Sequence, residues 1–327
     1  MLPRDRAVAV VVAAIWGANF TAIHLSLEHF PPFFLVALRF ALIAVPTLLL
    51  VPRPAVRTRW LLGYGFGFGV LQFAFLYLAM AQGMPTGLSS LVLQASAPFT
   101  VLLGAALLRE RLTGRQVLGT GLAVVGLTGI AVHRAGLGGA AALLPVVLTL
   151  CGGLGWALGN LSSRQAAPDS PLRLTLWMSV VPPLPMLGLA LLLDGPAAIG
   201  TSLTTLGTPR ATLALAGLAY TVLVATVLGS GLWTTLLARY PSSTVAPFSM
   251  LVPVAGFATS WLVLRERPAS IELALGALVV GGVLLGSLRP VPARPPSGQR
   301  DDQGGGDGGH TLAPAREPEP VGGGGRD

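Results

Sequence analysis

Leu108-Arg109-Glu110-Arg111 closes one apolar run of the chain, and Leu264-Arg265-Glu266-Arg267 closes another, 156 residues later. The same offset pairs Tyr77 with Trp233 and Pro85 with Pro241, while Pro98 and Pro253 fall one residue out of step. Nearer the start, Trp16 and Asn19 answer to Trp156 and Asn160. Leu- and Ala-rich helices align by chance, so the two charged turns are what carry the repeat. The chain reads as one unit present twice.

What surrounds these turns is too apolar for water. Of 327 residues, 53% are hydrophobic and 10% charged, and the mean hydropathy is +0.72. Soluble domains carry about 25% charged residues. Residues 290–327 differ from the rest: they hold 10 Gly and 7 Pro, with 4 Arg against 6 acids. The body before them carries 17 Arg against 7 acids, mostly between apolar runs. This composition excludes a soluble enzyme and a nucleic-acid binder with a basic face, in spite of a pI near 11.1. One cysteine, Cys151, excludes an intramolecular disulfide framework and reads as a small packing residue.

A membrane-spanning helix needs about 20 apolar residues. Ten runs qualify: 7–27, 33–51, 61–82, 86–108, 116–132, 140–161, 172–193, 211–237, 242–264 and 272–288. The first follows Arg4 and Arg6 and could pass for a signal peptide, but its apolar run continues to Leu27 and further spans follow. The longest connection, 194–210, is too short for a soluble domain. With the N-terminus in the cytoplasm, 12 loop arginines lie inside and 4 outside, which favours both termini inside; a nine-span chain would put the C-terminus outside. Five spans per half is an odd number, so the second copy sits upside down, an arrangement that lets transporters exchange two shapes. The expected fold is an all-α integral membrane protein of ten helices in two inverted five-helix repeats. Its parts are residues 1–135, residues 136–289 and a disordered Gly/Pro-rich cytoplasmic tail, 290–327.

Trp16-Gly17-Ala18-Asn19-Phe20, Pro31-Pro32 and Leu38-Arg39-Phe40 resemble the opening of the EamA family in the drug/metabolite transporter superfamily. Ala97-Pro98-Phe99, Leu108-Arg109-Glu110-Arg111-Leu112-Thr113 and the second-half echo ending at Arg267 extend the resemblance over about residues 7–288. The resemblance implies two EamA domains, ten helices and export of small metabolites such as amino acids or their derivatives. It leaves the substrate open. One departure is Pro268, where the first copy has Leu112-Thr113.

Polar side chains inside spans are costly and therefore informative. Asn19, Gln72, Gln94 and Asn160 are amides near the middle of the first, third, fourth and sixth spans. An amide donates and accepts, which suits the zwitterionic head of an amino acid; it also serves to join neighbouring helices. As a set they suggest a polar cavity, with Trp16, Tyr77, Trp156 and Trp233 as its apolar wall. Arg39 is the one basic residue well inside a span, at an insertion cost of about 2.5–3.5 kcal/mol. It could attract a carboxylate, but a structural role that fixes the second helix is the preferred reading. His24 lies about a turn beyond Asn19 and is the candidate for proton coupling. No acid lies in the interior of any span, which argues against coupling through a buried carboxylate. Glu110 and Glu266, each between two arginines, read as salt-bridged helix ends or as gates, one at each face. Pro98 and Pro253 remove backbone hydrogen bonds at matching places and are candidate hinges. The glycines of 63–69 and Gly282/Gly286 permit close helix packing within the chain.

Partners follow from this: a small-molecule substrate, the lipid bilayer, no nucleic acid, with a homo-oligomer allowed. No cofactor, metal or catalytic residue is expected. The rival classes are a channel, for which no charged selectivity ring is evident, and an intramembrane enzyme. Gly229-Ser230-Gly231 has no histidine in its half of the body to serve it. The expected location is the bacterial cytoplasmic membrane.

Overall fold

The computed structural model describes residues 1–287, apart from the side chains of residues 242 and 243. The expected tail at 290–327 lies outside the described residues. Nine helices within them are long and apolar enough to cross a bilayer. They are α1 (Pro3–Leu27), α2 (Pro32–Leu50), α3 (Thr58–Ala81), α4 (Thr86–Leu108), α5 (Gly114–Ala166), α6 (Pro171–Asp194), α8 (Pro209–Arg239), α9 (Ala246–Leu264) and α10 (Ser270–Ser287). Between α6 and α8, the connection that is too short for a soluble domain forms a short helix, α7 (Pro196–Thr204), entered through Gly195 at φ +87°.

The starts of these helices are written in the sequence. Proline stands in the first turn of α1, α2, α6, α7 and α8, where its missing N–H has no intrahelical partner to lose. Thr208 accepts from the Ala211 N–H at 3.2 Å to open α8, and Thr113 with Gln116 forms a reciprocal capping box at α5. The outer surface is aliphatic: Leu49, Leu184 and Leu192 are 77, 80 and 81% exposed. Such a surface is stable only against lipid tails. The protein is an all-helical integral membrane protein.

The 53-residue α5 is too long for one crossing, since it would extend about 80 Å against a hydrocarbon core of about 30 Å. Its backbone leaves helical geometry at Gly138 (φ −157°, ψ 21°) and Gly139 (φ 61°, ψ −141°). Only glycine holds the second of these without strain. Arg164, near the end of α5, pairs with Glu110, just before its start, so the two arms fold back on each other. The arms, 114–137 and 140–166, contain the predicted spans 116–132 and 140–161.

Small residues set the helix crossings. A Cβ at Gly17 of α1 would stand 2.4 Å from Ala255 Cβ and 2.7 Å from the Gly256 nitrogen of α9. A Cβ at Gly119 would lie 2.4 Å from the Gly282 carbonyl oxygen, which fixes the first arm of α5 against α10. These are contacts within the chain, as the glycine spacing suggests.

The repeat reaches the backbone as well as the side chains. Both Leu-Arg-Glu-Arg turns put their first arginine in the left-handed region, Arg109 at φ 54° and Arg265 at φ 59°. In both, the glutamate N–H returns to a carbonyl six residues earlier, Glu110 to Gly104 and Glu266 to Ser260, each at 3.3 Å. π-Helical stretches occupy Gly65–Gln72 in α3 and Tyr220–Leu228 in α8. The 3₁₀ stretches Leu93–Ala95 and Ala246–Leu251 precede Pro98 and Pro253. There each proline removes an N–H that an α-helix would use.

Candidate transport site and gates

Arg39 lies in the interior of the helix bundle, 5% exposed. Its Nη1 donates to the Tyr77 hydroxyl at 3.1 Å and its Nη2 to Thr226 Oγ1 at 3.1 Å. The guanidinium carbon sits 4.1 Å from the Phe73 ring centroid and 5.3 Å from that of Phe40. No acid pairs with it among the described residues; hydroxyl dipoles and ring faces stabilise the charge instead. Arg39 thereby joins α2 to α3 and to α8. Thr226 is free to accept because the π-helical stretch turns its own hydroxyl proton onto the Thr221 carbonyl, 2.8 Å away.

The eight expected substrate contacts fall into smaller groups. Trp16 and Trp233 pack together, ring centroids 5.1 Å apart, and Trp16 Nε1 donates to the Ala225 carbonyl at 2.9 Å. Trp156 reaches Tyr77 through an edge-on relay of rings, Trp156–Phe68, Phe68–Phe73 and Phe73–Tyr77, with centroid separations of 5.8, 5.6 and 5.8 Å. Asn160 donates to Thr100 Oγ1 at 3.3 Å. Asn19 and Gln72 are buried, and among the described residues no donor reaches Asn19 Oδ1 or Gln72 Oε1. Gln94 is buried in the 3₁₀ turn of α4. Two recesses, of about 100 Å³ beside Pro98, Gly119 and Gly282 and about 150 Å³ beside Glu266, Arg134 and Glu272, are lined by other residues than these eight.

Polar contacts concentrate at the two ends of the bundle. At one end Glu266 accepts the first amides of α4, the Thr86 N–H at 2.9 Å and the Gly87 N–H at 3.1 Å, with one carboxylate oxygen each. His24 stands beside this turn, its Nδ1 3.3 Å from Thr86 Oγ1 and its Nε2 3.8 Å from Glu28. Asp194 accepts the Phe34 N–H at 2.9 Å, His29 Nε2 meets the Ser202 carbonyl at 2.8 Å, and Arg134 faces Glu272 at 3.8 Å. At the other end Glu110 pairs with Arg164. There too Asp5, 7% exposed, accepts from the Tyr240 hydroxyl at 2.6 Å and lies 3.8 Å from Arg239. Trp177 Nε1 donates to the Val51 carbonyl at 3.0 Å.

The profile of the EamA-like transporter family matches residues 7–132 and 143–288, two copies that take in both ends and the middle. The chain belongs to the EamA-like transporter family. This EamA-like transporter is 39% identical over 289 residues to an Escherichia coli (strain K12) protein described as a "probable amino-acid metabolite efflux pump", covering 87% of this chain and 95% of that one. A Salmonella typhimurium (strain LT2) protein of the same description is 40% identical over 290 residues, with the same coverage. One solved crystal structure, 19% identical, superposes with a TM-score of 0.55 over 86% of this chain and 95% of that chain, a likeness of fold. Membership of a transporter family sets the enzyme reading aside.

Several of the transporter's contact residues escape sequence reading. Thr226 and Phe73 look like ordinary lipid-span residues until Arg39 is seen between them. Thr86 and Gly87 carried a faint signal, as small residues directly after Pro85 at a helix start. Asp5 lies so near the N-terminus that nothing in the sequence marks it as buried.

Proposed function

We propose that this transporter carries small metabolites, amino acids or their derivatives, out of the bacterial cytoplasm by alternating access. The observation that carries the reading is the match to two efflux-pump relatives over 95% of their length, at 39% and 40% identity. The fold-back of α5 at Gly138–Gly139 among nine helices supports a reading of ten crossings, and the distribution of loop arginines supports both termini inside. Each half, 1–135 and 136–289, is one repeat, mounted in opposite senses. By this orientation Glu110, Asp5 and Trp177 mark the cytoplasmic end, and Glu266, His24 and Asp194 the outer end.

The substrate's ammonium group finds acceptors in Asn19 Oδ1 and Gln72 Oε1, whose bonding capacity the protein leaves unspent. Gln94 and Asn160 complete the polar set, and Trp16, Tyr77, Trp156 and Trp233 bound it. Arg39 holds this middle together by tying α2, α3 and α8. His24, at the outer end, is the group through which a proton gradient would act.

Two measurements test the reading. Cells expressing the protein should excrete amino acids or their derivatives above the level of an empty-vector strain. The purified protein in liposomes should then exchange the excreted compound across the bilayer with saturation. No excess excretion, or flux that rises linearly with concentration, overturns it.

A further inference from the structure

We propose that the recess where α4 and α10 begin is a second binding site, separate from the central polar set, for the zwitterionic head of a small amino acid. Glu272 takes the ammonium group there and Arg134 the carboxylate. The site needs no alternating access; only its assignment to the outer face rests on the reading above.

Glu272 stands in the first turn of α10 and is buried, 5% exposed. Its Oε2 accepts the Ala269 N–H at 3.1 Å and so caps its own helix. Its Oε1 is enclosed and meets no donor among the described residues. Arg134, near the end of the first arm of α5, faces it, but its Nη1 stands 3.8 Å away, beyond hydrogen-bond reach. Arg134 Nε is likewise buried without an acceptor among the described residues. Buried polar atoms are costly to leave unbonded, and here an acceptor and a donor are left so on facing side chains.

Both side chains line a recess of about 150 Å³. A cavity of such a volume holds benzene, which has as many heavy atoms as alanine. Glu266 lines the same recess, but its two oxygens are already engaged by the Thr86 and Gly87 amides. Arg267 lines it as well, is exposed, and pairs with no acid among the described residues. The bonding capacity left over is one carboxylate oxygen and two guanidinium groups.

An ammonium group only donates and a carboxylate only accepts, so the oxygen suits the first and the guanidinium forks suit the second. In an α-amino acid both groups sit on one carbon. The atoms that hold them must therefore lie close, as Glu272 Oε1 and Arg134 Nη1 do. Leu88 and Phe257 form the apolar wall against which a small side chain rests.

The test uses the full chain purified in detergent, with Cys151→Ser and Pro268→Cys, so that the rate of maleimide labelling reports on the recess that residue 268 lines. L-Alanine should slow labelling with saturation. Propionate lacks the ammonium group and ethylamine the carboxylate, so each should need at least about tenfold more to do the same. Glu272→Gln and Arg134→Gln each remove a charge-assisted bond and should raise the half-protecting alanine concentration by roughly 10–100-fold. Asn19→Ala, a change in the central set, should move it by less than about twofold.

Labelling that alanine does not slow, or that propionate or ethylamine slows equally well, overturns the site. So does protection that survives both Glu272→Gln and Arg134→Gln, or that Asn19→Ala abolishes, since it then comes from the centre. Glutamine still offers the Ala269 amide an oxygen, so the cap of α10 stays; should Glu272→Gln not fold, Arg134→Gln decides by the same shift. The measurement involves no flux, so the export reading stands or falls separately, on excretion.

Discussion

The two Leu-Arg-Glu-Arg turns share a backbone and differ in what their glutamates hold. Arg109 and Arg265 adopt nearly the same left-handed φ, 54° and 59°, and each following N–H closes the same 3.3 Å bond. Glu266 binds backbone amides of another helix, and Glu110 binds a side chain at the surface. Local sequence dictates the turn; which partner the carboxylate meets depends on where the rest of the bundle stands. A sequence repeated in two halves therefore need not be a structure repeated in two halves.

Four substitutions would break or sharpen that contrast, in order of expected effect. Gly87→Val strikes the end held by Glu266 hardest. A Cβ there would lie 2.5 Å from Phe257 Cδ1 and 2.8 Å from Ser260 Oγ, forcing α4 and α9 apart beside Glu266. Overpacking of this kind costs about 1–3 kcal/mol, so the detergent-solubilised protein should show a markedly lower Tm and lose transport. Glu266→Ala removes a cap that binds two amides and should lower stability by about 1–2 kcal/mol, read from the same melting curves. Glu110→Ala removes an exposed pair with Arg164, and its melting curve should move by less than about 1 kcal/mol; equal losses at the two glutamates would mean that the two carboxylates are held alike. Gly114→Ala is the smallest: a Cβ there meets nothing within 4 Å, and the change should be neutral or stabilising by up to about 1 kcal/mol.

Much of the architecture was legible. Composition alone set the protein in lipid, and apolar runs marked the spans, with separate runs at 116–132 and 140–161 on either side of the break in α5. The small-residue series foretold the close crossings because a missing Cβ has one geometric meaning wherever helices meet. The short helix α7 was less visible, since 194–210 has neither the length of a span nor a strong apolar face.

The site was legible by residue type and not by partner. Arg39 was evident as a charge in the wrong solvent, yet its neighbours Tyr77, Thr226 and Phe73 come from two other helices, and no spacing within α2 points to them. Trp16 and Trp233, read as members of one apolar wall, pack on each other. Glu266, with an arginine on each side, reads as a salt-bridged helix end or a gate, whereas its contacts are amides of α4. Tertiary contacts between distant helices decide such pairings, and a repeat supplies the candidates without saying which copy is engaged.

The central claim is tested most directly by the reach of water to Asn19, in the middle of α1. With Asn19→Cys in a Cys151→Ser protein, a membrane-impermeant maleimide is applied to right-side-out and to inverted vesicles. A carrier that opens to each face in turn predicts labelling from both sides, with a transported amino acid shifting the balance between them. Labelling from one side alone under every condition, or from neither, would contradict it.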